Sequence, residues 1–293
     1  MGTRASSPSK QRARRLVRDG WISNQHGAWA MMLVPVIVGS LLGGLAWQQL
    51  LLLVAWLAAF FYFSALGLWV KVYSSARARA RAAGKPLGEA RLATIRKRQG
   101  RFRNALVAYA AVAAVGALSL LILKPSLALW APAFAVCFGI ALWEMWNDNE
   151  RGLLSRASAI IASQFLTPIA FSLGSHPDDW GRAWLATAIL TLYFIGTVPL
   201  VKTLIRERGS SAWLIGSLTF HGVVLAVTFV AALLGHLNWW IVALWALLLI
   251  RAAAFPAWSY RTGKPLRPAI IGFSEIAVST TVVLVLTLPT TLT

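Results

Sequence analysis

The sequence predicts an all-α, polytopic membrane protein with nine transmembrane helices, and three observations carry that prediction. Of 293 residues, 58% are hydrophobic and only 13% are charged. The charges are gathered into a few short stretches, whereas a soluble helical chain would spread them along amphipathic faces. Runs such as QQLLLLVAWLAAFFYFSALGLWV offer about twenty residues without a charge, the length a helix needs to cross a ~30 Å hydrocarbon layer.

The elements follow in order from these runs. Residues 1–28 form a basic N-terminal tail of net charge +5, and the first span is placed at 29–46. Only Gln48 and Gln49 separate it from the next run, with no A-x-A cleavage pattern, so it reads as a retained span and not as a signal peptide. The second span, 50–70, leads into a strongly basic loop, 71–103, of net charge +10. Further spans are placed at 104–123, 127–146, 157–174, 183–201, 211–234, 237–258 and 269–290, so that 29–293 reads as a single transmembrane domain.

Lys and Arg mark the cytoplasmic side of a bilayer. The tail, loop 71–103, loop 202–210 at +2 and loop 259–268 at +3 all fall on one face of a nine-span chain. The opposite connections carry almost no positive charge, with Lys124 alone in one and Asp178, Asp179 and Arg182 in another. A multi-pass protein of a bacterial inner membrane is therefore expected, N-terminus cytoplasmic and C-terminus external. Trp29, Trp69, Trp146, Trp213 and Trp258 stand near predicted span ends, where indole rings prefer the headgroup layer.

The formal charge of +19 does not point to nucleic acid. The basic stretch RARARAAGKPLGEARLATIRKRQGRFR lies within a headgroup's reach of two spans and has one aromatic residue for base stacking. Membrane lipids are the expected partners, since cytoplasmic basic loops attract anionic headgroups. Cys137 sits in an apolar run as the one cysteine, which excludes disulfides. Nothing in the sequence names a cofactor.

At SNQHGAWAMMLVPVIVG, residues 23–39, the chain resembles the YwiC-like family of bacterial integral membrane proteins, and NDNERGLLSRASAIIA, VPLVKTLIRERG and IGFSEI extend the likeness. That resemblance implies a membrane protein without implying a reaction. A more distant likeness is to the UbiA-type intramembrane prenyltransferases, which have nine helices around a cytoplasm-facing cavity. It implies a UbiA-like bundle. In that family N-D-x-x-D-x-x-x-D follows span two and D-x-x-x-D follows span six, and their carboxylates hold magnesium on a prenyl diphosphate. Here the corresponding stretches read WVKVYSSAR and VKTLIRER, with cations where the family has anions. A hard dication needs several oxygen ligands, which Glu207 between two arginines does not supply. Cations at span ends can instead hold a phosphate or carboxylate directly.

On this reading Lys71, Arg77, Asn147, Lys202 and Arg206 are the candidate substrate-binding residues, for a lipophilic anion such as an isoprenoid or lipid phosphate. Asp148 and His26 are the candidate proton-transfer residues, His26 standing in the polar triplet Asn24, Gln25, His26. The stretch ALWEMWNDNERGLLSR places Glu144, Asp148 and Arg151 at i, i+4 and i+7, one helical face if span four continues that far, with Gly152 as its stop. It reads either as an ion-pair cluster ending the helix or as a site; no metal is favoured, and Glu144 and Asp148 would be its ligands if one bound. Arg251 and Glu275 lie at similar depth in consecutive antiparallel spans and are expected to form a structural ion pair. His221, about ten residues into span seven, reads as a helix-to-helix hydrogen bond.

Two functions from different classes fit: a cavity protein for a lipophilic anion, with a diverged transferase-like enzyme as its catalytic form, or a permease for a small organic anion. Pro35, Pro168 and Pro199, which interrupt spans, belong with the second. A scaffold without a substrate is the third.

Overall fold

The computed structural model describes residues 12, 15–23, 28–84, 86–149 and 152–288. It is all-helical over these residues. The helices are α1 (Ala28–Gly43), α2 (Trp47–Ala82), α3 (Glu89–Gly100), α4 (Arg103–Leu123), α5 (Ala131–Trp146), α6 (Leu153–Gln164), α7 (Leu166–Ser172), α8 (Trp180–Val201), α9 (Ser211–Leu233), α10 (Trp239–Thr262) and α11 (Pro268–Thr287). A 3-10 helix, Pro125–Trp130, leads into α5, and a π-helical turn, Lys202–Arg206, closes α8.

Among the described residues eight helical segments are long and apolar enough to span a membrane. The chain is a multi-pass membrane protein. The first expected span, 29–46, is shorter: α1 has 16 residues, which at ~1.5 Å per residue reach roughly 24 Å against a ~30 Å hydrocarbon layer. It ends where Gly44 turns the backbone into the left-handed region, φ +80°. Loop 71–103 is corrected more substantially. Helix α2 runs straight through the boundary at Val70 to Ala82, and Glu89–Gly100 forms α3, so most of the basic stretch is helix. Alternating Arg and Ala are strong helix formers, and positive charge ends only the apolar part of α2, not its hydrogen-bond ladder.

The contacts gather in two compact units. In the first, Met1–His26 with Trp47–Ala162, the central pair is α2 on α4. Gly116 lets the two helices approach, since a Cβ there would stand 2.7 Å from that of Ala55. Phe102, 1% exposed, fills the corner before α4 and packs under Gly20.

In the second unit, Gly27–Ala46 with Ser163–Thr293, α1 crosses α7 at close range. A Cβ on Gly39 would overlap the Thr167 carbonyl oxygen, and one on Gly43 that of Phe171. This glycine pair at i, i+4 brings backbone onto backbone, the way helices associate where lipid is the solvent. All seven residues of α7 are buried. The span Leu153–Ser172 is broken at Phe165 because Pro168 has no N–H for the Gln164 carbonyl. The remaining helices α8 to α11 complete this unit through α8 on α9, α9 on α10 and α10 on α11.

A candidate anion groove and a buried polar network

In the first unit, the end of α2 and the whole of α3 face each other across a groove of about 430 Å³. Helical period builds it. Lys71, Ser75 and Arg79 recur every fourth residue on α2, with Val72 and Ala76 beside them, and Arg91, Thr94, Ile95 and Arg98 line one face of α3. Arg101 closes the end. Buried Ile95 and Ala80 supply apolar contact, and Gln99 Nε2 donates to the Trp69 carbonyl at 3.1 Å, fixing α3 to α2. Among the described residues, five cations and no carboxylate line this groove.

Arg101 also lines a neighbouring hollow of about 370 Å³ with Arg12, Arg15, Leu16, Asp19, Trp21 and Asn104. There the acid is spent: Asp19 accepts from Arg18 at 3.1 Å and lies 3.7 Å from Arg15. Tyr109 donates to the Trp21 carbonyl at 2.7 Å and holds this segment against α4.

Of the expected substrate-binding residues, Lys71 lines the groove. Arg77 is half-buried, six positions along α2 and off the lining face. Arg79, Arg91, Arg98 and Arg101 were missed. The readable signal was two-turn spacing, Lys71 to Arg79 eight residues apart and Arg91 to Arg98 seven apart, once 71–100 is taken as mostly helix.

Asn147 and Asp148 belong to a helix end. Helix α5 stops at Trp146, and Asp148 takes the left-handed conformation, φ 58°. The Asn149 amide donates to the Glu144 carbonyl at 2.8 Å and the Asp148 amide to that of Met145 at 3.2 Å. This is a Schellman closure with aspartate where glycine is usual. Asn147 donates its amide to Trp143. The expected common face of Glu144 and Asp148 therefore does not exist, and the stop comes before Gly152. Glu144 is 8% exposed and accepts from Asn149 Nδ2 at 2.6 Å. Gly152 makes room for that pair, since a Cβ would crowd both side chains. Asn24, Gln25, His26, Glu150 and Arg151 lie outside the described residues. Among the described residues no three His, Cys, Asp or Glu side chains gather where a metal could sit.

In the second unit, Lys202 Nζ lies 3.9 Å from the Trp213 ring centroid, a cation on an aromatic face at the start of the π turn. Arg206 belongs to the same turn by its backbone, and its side chain lies outside the described ones. Arg208 ties this turn to the next one by donating to the Gly263 carbonyl at 3.1 Å.

Deeper in this unit, Arg251 Nη1 donates to Glu275 Oε1 at 2.8 Å. Tyr193 donates to Glu275 Oε2 at 3.1 Å and is 3.0 Å from Ser279 Oγ. Arg251 is 6% exposed and Tyr193 1%. His221 differs from expectation: its Nδ1 is bonded to the Ser217 carbonyl one turn back on its own helix, 2.8 Å away, and its ring packs near Trp245.

A family model described as "YwiC-like protein" matches residues 22–171, just over half of the chain. The chain belongs to the YwiC-like family. The YwiC-like region holds α1 and everything from α2 through α7, the basic groove included. The uncharacterized protein YwiC of Bacillus subtilis is 26% identical over 262 residues, covering 87% of this chain and 92% of that protein. An uncharacterized protein of Haemophilus influenzae is 27% identical over 212 residues, 72% of this YwiC-like chain and 78% of its own length. No solved structure matches.

Proposed function

We propose that this YwiC-like protein binds the phosphorylated headgroup of a membrane lipid or isoprenoid in the groove between α2 and α3. One observation carries the reading: five cations without a carboxylate surround a ~430 Å³ hollow where the apolar part of α2 gives way to its basic end. A phosphate there would meet guanidinium forks and the hydroxyls of Ser75 and Thr94, while its chain stays in the hydrocarbon beside the span. The groove faces the cytoplasm on this reading, with the N-terminus on the same side and the C-terminus outside. A UbiA-like arrangement fits the number of apolar helices, with direct cation contacts replacing the magnesium-bound carboxylates. Asp148 and His26 stay the candidates for proton transfer if the groove supports turnover.

The protein purified in mild detergent is expected to retain a phosphorylated lipid detectable by mass spectrometry, and Arg79→Ala/Arg98→Ala to lose it. Equal retention by wild type and variant counts against the groove.

The alternative is a permease for a small organic anion. It is supported by the broken span Leu153–Ser172 and by the charges buried at mid-span. Saturable uptake into proteoliposomes is its test.

A further inference from the structure

The Arg251 guanidinium is only half used. Its Nη1 is bound to Glu275, whereas Nε and Nη2 are buried and have no hydrogen-bond partner among the described residues. Each Glu275 oxygen accepts one of these bonds, Oε1 from Arg251 Nη1 and Oε2 from Tyr193, and neither is hydrogen-bonded to Nε or Nη2. In a planar guanidinium, Nε–H and the adjacent Nη2–H run parallel along one edge, at the spacing of two oxygens on one carbon or phosphorus.

The depth of this edge matters. Arg251 is the thirteenth of 24 residues in α10, Glu275 the eighth of 20 in α11, Tyr193 the fourteenth of 22 in α8 and His221 the eleventh of 23 in α9. Four helices thus bring their polar residues to mid-span, where ionisable groups mark substrate or ion pathways. A second buried group lies one helical turn from His221, towards the start of α9: Ser217 Oγ is without a partner among the described residues and 0% exposed. Its neighbour Leu218 packs in the same apolar cluster as Ala252, the neighbour of Arg251.

We propose that the Nε/Nη2 edge of Arg251, with the Ser217 hydroxyl, is a mid-membrane binding site for the carboxylate of a small organic anion. Charge selects the class. The Arg251–Glu275 pair is already neutral, so a monocarboxylate adds one unit charge, which two charge-assisted hydrogen bonds can offset, whereas a phosphate dianion doubles the charge for the same two bonds. The Glu275 contact positions the guanidinium and the Tyr193 hydroxyl holds Glu275. The site deepens the permease reading and is separate from the groove in the other unit.

The test is isothermal titration of the full-length protein in lipid nanodiscs with sodium acetate and sodium benzoate, against sodium phosphate and sodium chloride. Saturable binding of at least one carboxylate is expected, with no binding of chloride. Arg251→Lys keeps the charge but loses the parallel N–H pair and should weaken binding about tenfold; Ser217→Ala should weaken it about fivefold. Both variants are first checked for a monodisperse folded state, and if Arg251→Lys does not fold, Ser217→Ala decides. No saturable carboxylate binding, unchanged affinity in the folded variants, or a phosphate affinity that exceeds the carboxylate affinity and falls with Arg251→Lys overturns the site. Carboxylate binding without uptake into proteoliposomes keeps the site and removes the permease.

Discussion

Asp148 occupies a backbone position that favours glycine. At φ 58° its Cβ crowds the neighbouring carbonyl, a conformation costing ordinary side chains ~1–2 kcal/mol, and aspartate tolerates it better than branched residues do. Asp148→Gly is therefore expected to keep or raise thermal stability in detergent, and Asp148→Val to lose about 1–2 kcal/mol. Equal stability of the two would show that the Schellman corner does not hold this helix end. Asp148→Gly also removes the carboxylate without straining the fold, so it isolates any chemical role of that group. The corner was not legible beforehand because Gly152, not Asp148, carried the obvious stop signal. The Arg251 and Glu275 contact, by contrast, was readable from two charges at matching depth in consecutive spans. The used and unused edges of the guanidinium were not, since they depend on how Glu275 is shared with Tyr193 from another helix.

At the scale of elements, apolar windows of about twenty residues located the spans to within a few positions, because nothing but a helix satisfies its backbone inside lipid. They failed where charge was taken for the end of a helix. Past Val70, α2 continues for twelve residues to Ala82, and that continuation makes one wall of the groove. The contact of α1 with α7 rests on the spacing of Gly39 and Gly43, a readable pattern that hydropathy alone passes over. Gly39→Leu is expected to abolish most of the folded yield, since its side chain must displace the Thr167 carbonyl. Gly139→Leu on α5 is the matched control, because nothing lies within 4 Å of a Cβ there. Similar yields for both would mean that α1 and α7 do not depend on close approach. The short α1 and the seven-residue α7 bury their glycine and proline positions together. In contrast, only 11% of the apolar window is fully buried in α4 and in Pro125–Trp146, which contains α5.

For the whole molecule, the distribution of charge is the organising quantity. The +19 of the chain is concentrated at span ends, and α2 with α3 hold the densest part of it. A reporter fused after residue 293 is expected to behave as external, and one inserted in the turn at 83–88 as cytoplasmic. The reverse pattern would place the groove on the outer surface, away from the anionic leaflet. If the groove recognises phosphate, a polyprenyl phosphate and phosphatidate bind the full-length protein in nanodiscs of neutral lipid. Each exposed cation at a headgroup is worth about 1 kcal/mol, so Arg79→Gln/Arg98→Gln should weaken binding roughly 30-fold. Arg77→Gln, off the lining face, should change it little, and added chelator should leave it intact. Binding that survives the double substitution, or that falls as far with Arg77→Gln, would contradict the account and reduce the basic helices to an unspecific charge at the membrane surface.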